Sequence, residues 1–249
     1  MNLKLGRRAP SMMRHAMKLH RYFTPNLPPL APKTNWSKAV TIPWGMEGND
    51  ALGDCTCAGP AHNVMAVTAN AGSIVVPTTA QTEDMYEASG YVPGNPASDQ
   101  GWTLDAAESY MVSTGLAGVK ADGYVDVGPK NITHIKYALQ LLGPGVNFGV
   151  NLPQSAMDVF EASNGVNVVW SVSRMTNTTI IGGHDIACID FTANGNFRCV
   201  TWGSEILVTP AWLLAYCVEV SAMYFKMMEK SVGLDYAQME ADAQALAAA

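Results

Sequence analysis

Cys55 and His184 are the two residues whose settings in this chain suit covalent chemistry. Cys55 lies in WGMEGNDALGDCTCAGPAHNVMAV, residues 44–67, where a glycine-rich turn region runs into the cysteine and a segment of helical character follows. Pro60 falls early in that segment, where a missing N–H is tolerated. A cysteine at a helix N-terminus meets unpaired N–H groups and the positive end of the helix dipole. Both stabilise a thiolate, so a lowered pKa and a competent nucleophile near neutral pH are expected.

Helical geometry restricts the partners of that sulfur. Residues two apart are turned by about 200°, so Cys57 faces away from Cys55; residues seven apart are separated by about 10 Å of rise, which puts His62 beyond hydrogen-bond reach. A base has to come from elsewhere in the chain. His15 and His20 belong to a basic N-terminal stretch, and His134 lies beside the apolar stripe Ile132, Ile135, Leu139 and Leu142, off its core face. His184 instead follows Gly182 and Gly183 and opens HDIACIDF, which reads as a core strand with room for a substrate at its start. A satisfied core histidine is the alternative reading.

The other thiols point to packing. Five cysteines are an odd number in a chain with no secretory signal, so reduced thiols are expected, and Cys188, Cys199 and Cys217 lie in apolar surroundings as small hydrophobes. Zinc held by Cys55, Cys57 and His62 is a competing use, disfavoured because Cys-x-Cys at a helix start spreads two ligands apart. GxGxxG and P-loop patterns are absent. No metal or cofactor is therefore expected.

The elements around these residues resemble the papain-like cysteine peptidase superfamily. QGWTLDAAESYMVSTGL at 100–116 is similar to its second helical segment, with Asp105 and Glu108 at capping-box spacing. IKYALQLLGPGVNFGVNL at 135–152 is similar to the helix, turn and strand before the catalytic histidine, GGHDIACIDF to the histidine strand, and FRCVTWG at 197–203 to the strand that follows. The variant with GND followed by GDCT also looks like a set of bacterial and phage proteins of this type.

That resemblance implies an α+β, two-lobe fold, a helical lobe plus an antiparallel sheet lobe with the cleft between them, and a Cys55–His184 pair. It also implies that Asn49, six residues before Cys55, helps hold the oxyanion. The family's glutamine is replaced by this shorter amide, Thr56-Cys57 replaces a bulky aromatic, and Val200 stands where the family places the asparagine that orients the histidine. Thr201, Asp185 and Asp190 are the candidates to replace it, the two aspartates lying on opposite strand faces by alternation. Beyond residue 203 a helical end unlike the peptidases is expected, with residues 211–225 as a helix after Pro210.

Composition sets the frame for these elements. The chain has 249 residues, 48% hydrophobic and only 14% charged, so it can build a substantial core beneath a largely neutral surface, which also suits a crowded assembly. Residues 1–46 carry eight bases and no acid, while the remainder carries seven bases and 21 acids, a balance of +8 against −14. Residues 1–43 read as an extended basic, Pro-rich arm: residues 11–23 could form a short amphipathic helix, and residues 25–43 a strap. Residues 44–228 read as the papain-like domain and 229–249 as a helical or Ala-rich tail.

A peptide or cell-wall-like amide is the expected substrate of the hydrolase so described. The other reading is a weak or inactive papain-like component of a phage virion or similar assembly, anchored on neighbouring subunits by the arm. No membrane span is expected, and nucleic acid only through arm contacts. The sequence reads as non-secreted, with a virion as one setting.

Overall fold

The computed structural model describes residues 3–10, 17–230 and 232–247. Its backbone alternates helices with strands of a single sheet. In chain order the elements are α1 (Cys55–Asn70), α2 (Thr79–Glu87), α3 (Leu104–Ser113), β1 (Gly123–Asp126), α4 (Ile132–Leu141), β2 (Val146–Pro153) and α5 (Gln154–Ala162). There follow β3 (Val169–Trp170), β4 (Ile180–Phe191), β5 (Phe197–Thr201), β6 (Ser204–Val208), α6 (Pro210–Tyr216), β7 (Cys217–Tyr224) and α7 (Tyr236–Ala247). The strands lie in the order β1-β7-β2-β4-β5-β6-β3, antiparallel except for the β3–β6 pair. The architecture is α+β, as expected.

Two apolar clusters divide the molecule. Cys57, Ala61, Val64 and Val67 of α1 pack with Met85, Tyr86, Ala107 and Met111 of α2 and α3 to form the helical lobe. Phe148, Ile186, Trp170, Trp212 and their neighbours form the sheet lobe. From Cys55 to Thr68 every residue of α1 is buried, so this helix is apolar all round because it is wrapped on all sides. Pro60 is its sixth residue, one turn deeper than the positions whose N–H lacks an intrahelical partner.

Three sequence expectations need correction. Residues 211–225 are not one helix: α6 ends at Tyr216, and Cys217 begins β7, hydrogen-bonded between β1 and β2. A continuous apolar run that is buried on both faces has no period to separate strand from helix. For the same reason the chain after residue 203 contributes β6 and β7 and is not a helical end. Asp105 and Glu108 form no capping box, since the N-cap position of α3 is Thr103, which makes no side-chain cap hydrogen bond, and Glu108 is buried in the helix interior. The capping box lies instead on α2, between Thr78 and Gln81.

Of the basic segment 11–23, residues 11–16 lie outside the described residues, and residues 19–22 form a single 3-10 turn with Leu19 and Tyr22 buried. The strap at 25–43 follows the body of its own chain. Trp36 Nε1 donates to the Leu139 carbonyl at 2.8 Å, and the Asp190 carboxylate accepts from the Trp36 and Ser37 N–H groups at 2.7 and 3.0 Å. No helix among the described residues is long and apolar enough to cross a membrane.

Candidate active site

A glycine turn aims the start of α1. Ala51 and Leu52 N–H both donate to the Gly48 carbonyl at 2.9 Å, and Gly48 adopts φ +98°, with its α-carbon so near the Asp54 carboxylate that a Cβ would lie 2.5 Å from Oδ2. Only glycine meets both conditions. Asp54 caps α1 through its carbonyl, which accepts from Cys57 and Ala58 N–H at 2.7 and 3.0 Å. Cys55 follows as the first helical residue and is 1% exposed. The Asn49 side chain donates to the Leu52 carbonyl at 3.0 Å, bracing this turn, and lies beside Asp54, whose carboxyl burial pushes well up.

His184 stands in β4, opposite Val150 of β2. Its Nε2 lies 2.7 Å from Thr201 Oγ1, and the Trp202 indole stacks on the ring at 4.2 Å between centroids and 15° between planes. Of the three candidates to orient the imidazole, Thr201 is therefore the one in contact with it; Asp190 holds the strap, and Asp185 faces Gly59 of α1. The His184 Nδ1 is buried with no hydrogen-bond partner among the described residues. Asp185, the next residue, rests against α1 four residues beyond Cys55, where a Cβ on Gly59 would lie 2.4 Å from its Oδ2.

The titration of this pair runs against the helix-terminus expectation. Burial pushes the Cys55 thiol up to about 12, and the Asp185 charge adds to the rise, offset in part by the Asp185 and Gly6 N–H groups. Burial, then the Arg7 charge, pulls His184 down to about 3. Desolvation here outweighs the helix dipole, so thiol and imidazole are both neutral in this state.

The N-terminal segment lies against this site. Residues 4–8 run between the two lobes: Lys4 N–H donates to the Asn49 carbonyl at 3.1 Å, Trp102 N–H to Gly6 at 2.9 Å, Arg7 N–H to Gly183 at 3.1 Å and Arg8 N–H to Trp102 at 2.8 Å. Arg7 and Trp102 thereby form a parallel bridge, and Trp202 Nε1 donates to the Lys4 carbonyl at 3.2 Å. Gly6 is pressed so closely on the residue two before Cys55 that a Cβ on it would lie 1.7 Å from the Gly53 carbonyl oxygen.

The next side chain turns inward. Arg7 is buried, its side chain 2% exposed, and Nη1 pairs with Glu219 Oε1 of β7 at 2.7 Å while Nη2 donates to Asn151 Oδ1 at 3.0 Å and the Val150 carbonyl at 3.3 Å. Gly149 makes room for Glu219: a Cβ there would lie 2.4 Å from its Cγ. Nearby, Glu108 accepts from Ser221 Oγ at 2.5 Å and Asn147 Nδ2 at 3.4 Å. Burial raises the carboxyls of Asp185 and Glu108 well above their usual range.

Sequence reasoning missed Arg7 and Glu219. Their signals were a cation in an arm without acids and an acid interrupting the apolar run 211–225. His62 is committed elsewhere, its Nε2 2.8 Å from the Gly45 carbonyl and its ring edge-on to Trp44. Among the described residues no three metal-binding side chains converge, so Cys55, Cys57 and His62 do not form the zinc site weighed above.

No family model and no curated protein matches the sequence. Solved structures do match. Xylellain, a cysteine protease from Xylella fastidiosa, superposes with a TM-score of 0.65 at 14% identity, over 90% of this chain and 96% of that one. The fold is that of the papain-like cysteine proteases. Digestive procathepsin L 3 of Tenebrio molitor larval midgut matches at TM-score 0.56 and 13% identity, over 84% of this chain and 76% of that one. The cysteine protease and lectin-like domains of Cwp84 from Clostridium difficile match at 0.53 and 11%, over 86% and 54%.

Proposed function

We propose that this chain is a papain-like cysteine hydrolase of peptide or amide bonds, held latent when residues 4–8 fill its cleft. The observation that carries the reading is the setting of His184. One ring nitrogen is fixed by Thr201, the other is buried with no hydrogen-bond partner among the described residues, and the next residue, Asp185, rests against α1, the helix that Cys55 begins. For Nδ1 to act as a base, Nε2 must carry the proton and donate it to the Thr201 oxygen.

Once the arm withdraws, water reaches the pair, and the burial that holds the sulfur protonated is relieved. Cys55 then gives its proton to His184 and attacks the substrate carbonyl carbon; an S–C bond forms as the carbonyl electrons move onto oxygen. Collapse of the tetrahedral species breaks the C–N bond, and the imidazolium protonates the departing amine. Water, deprotonated by the same ring, then releases the acid and regenerates the thiol. N–H groups at the α1 start are suited to the oxyanion. Asn49 remains the proposed side-chain donor, and it would contribute the amide proton not directed to Leu52.

The test is reaction of the full chain with iodoacetamide and E-64, followed by mapping of the modified cysteine. Labelling concentrated at Cys55 when the arm is displaced, together with peptide turnover lost in Cys55→Ala, is the expected result. Equal and slow labelling of all five cysteines would refute the reading.

A further inference from the structure

We propose that the recess now filled by the Arg7 side chain is the subsite in which the enzyme recognises a basic residue of its peptide substrate. The proposal rests on the hydrolase reading for what the subsite serves, and on the recess itself for its chemistry.

The recess is built for a cation that arrives on a peptide backbone. Arg7 enters from a segment whose N–H bonds to Gly183, the residue before His184, and whose preceding glycine lies against Gly53. Its guanidinium then meets acceptors on two adjacent strands, Val150 and Asn151 of β2 and Glu219 of β7. Glu219 reaches it because position 149 carries no side chain. A charge-assisted pair with two further acceptors in place matches the planar fork of arginine.

A second observation argues the same way. Asp185 is 2% exposed, and both its carboxyl oxygens lack a hydrogen-bond partner among the described residues. Its carboxyl feels Glu219 as a repelling charge and Arg7 as an attracting one. Asp185 and Glu219 are both in register with Gly149, on the strands either side of it, so both carboxyls lie on the sheet face that the cation leaves when the arm withdraws. A guanidinium or ammonium brought by another peptide restores the balance. An apolar side chain would fill the recess without restoring the cation, and an acidic one would add repulsion.

Position matters as much as charge. The recess lies beside His184 and Cys55, so a side chain seated there belongs to a residue close to the bond being cut, and it competes directly with the arm. One pocket thus serves both the resting and the working state.

The experiment separates binding from catalysis. In the full chain carrying Cys55→Ala and Arg7→Ala, affinities are measured by calorimetry for the capped tripeptides acetyl-alanyl-arginyl-alanine amide and its lysyl, leucyl and glutamyl counterparts. The arginyl peptide is expected to bind at least about tenfold tighter than the leucyl one, with the glutamyl peptide weakest, and Glu219→Gln is expected to erase the preference. Arg7→Gln replaces Arg7→Ala if the latter does not fold. Equal affinity for all four peptides, or a preference unchanged by Glu219→Gln, overturns the proposal. In the Arg7→Ala chain with Cys55 intact, hydrolysis of the same sequences as fluorogenic amides tests the enzyme reading separately. Arginyl binding without any turnover sinks the hydrolase and keeps the subsite; turnover with no basic preference does the reverse.

Discussion

His184 and Thr201 meet at 2.7 Å across the edge of β4 and β5, and this contact occupies one of the two ring nitrogens. Thr201 holds the imidazole from one side, and the Trp202 indole stacks on its face. A hydroxyl has one proton and two lone pairs, so it can accept from Nε2–H and keep the opposite nitrogen basic. Thr201→Val removes the acceptor at nearly constant volume. In an arm-released background kcat should fall roughly tenfold to a hundredfold with KM little changed, whereas Thr201→Ser should retain most of the activity. Steady-state kinetics on a fluorogenic peptide decide it; a change in KM alone would assign Thr201 to binding.

Gly6 should control latency. A methyl group on its α-carbon would meet the Gly53 carbonyl oxygen at 1.7 Å, which no small adjustment relieves, so Gly6→Ala must push residues 4–8 out of the cleft. Water then reaches Cys55, whose thiol burial now holds near 12. Iodoacetamide should modify Cys55 at least about tenfold faster in Gly6→Ala than in the native chain at neutral pH, because reactivity follows the thiolate fraction and access together. Unchanged labelling, measured by mass spectrometry of the digested protein, would mean that the segment does not gate the sulfur.

The position of Cys55 at a helix start and of His184 in a strand was legible because each rests on local chemistry: a glycine turn before an apolar helix, and two glycines before an apolar strand. The α+β class followed from the same segments. The seat of Arg7 was not legible, since its partner Glu219 is 212 residues away and only the folded sheet brings them together. The direction of the Cys55 shift failed for a related reason. A helix terminus lowers a thiol's pKa when water is near, and the sequence does not disclose that Cys55 is buried. β7 was hidden by burial on both faces, which erased its period.

Gly59 marks where α1 touches β4. A Cβ there would lie 2.4 Å from Asp185 Oδ2 and 3.1 Å from Asn147 Oδ1, and both groups are buried. Gly59→Ala should therefore destabilise the protein by about 1–3 kcal/mol through overpacking, despite alanine's better helix propensity. Asp185→Ala in the same chain removes the obstructing carboxyl, so the two substitutions should not be additive, the double variant recovering part of the loss. Urea unfolding of the four proteins provides the cycle; strict additivity would show that the helix does not rest on this carboxylate.

His62 should make the fold sensitive to acid. Its Nε2–H donates to the Gly45 carbonyl at 2.8 Å, and its Nδ1 is buried with no partner among the described residues, so a second proton has nowhere to donate; burial brings its pKa down to about 4. Unfolded, the ring titrates near 6.5. Between these values the unfolded chain binds the proton and the folded one does not. Stability is therefore intact above about pH 6.5 and is lost as the pH falls toward 4. His184, held near 3, adds to the same loss, whereas Asp185 and Glu108, with raised values, oppose it. His62→Gln retains a donor for Gly45 and removes the titration, so the drop in unfolding free energy between pH 7 and pH 5 should be smaller than in the native chain by about 2 kcal/mol. Equal drops in urea titrations at the two pH values would show that the ring takes up its proton without leaving the fold.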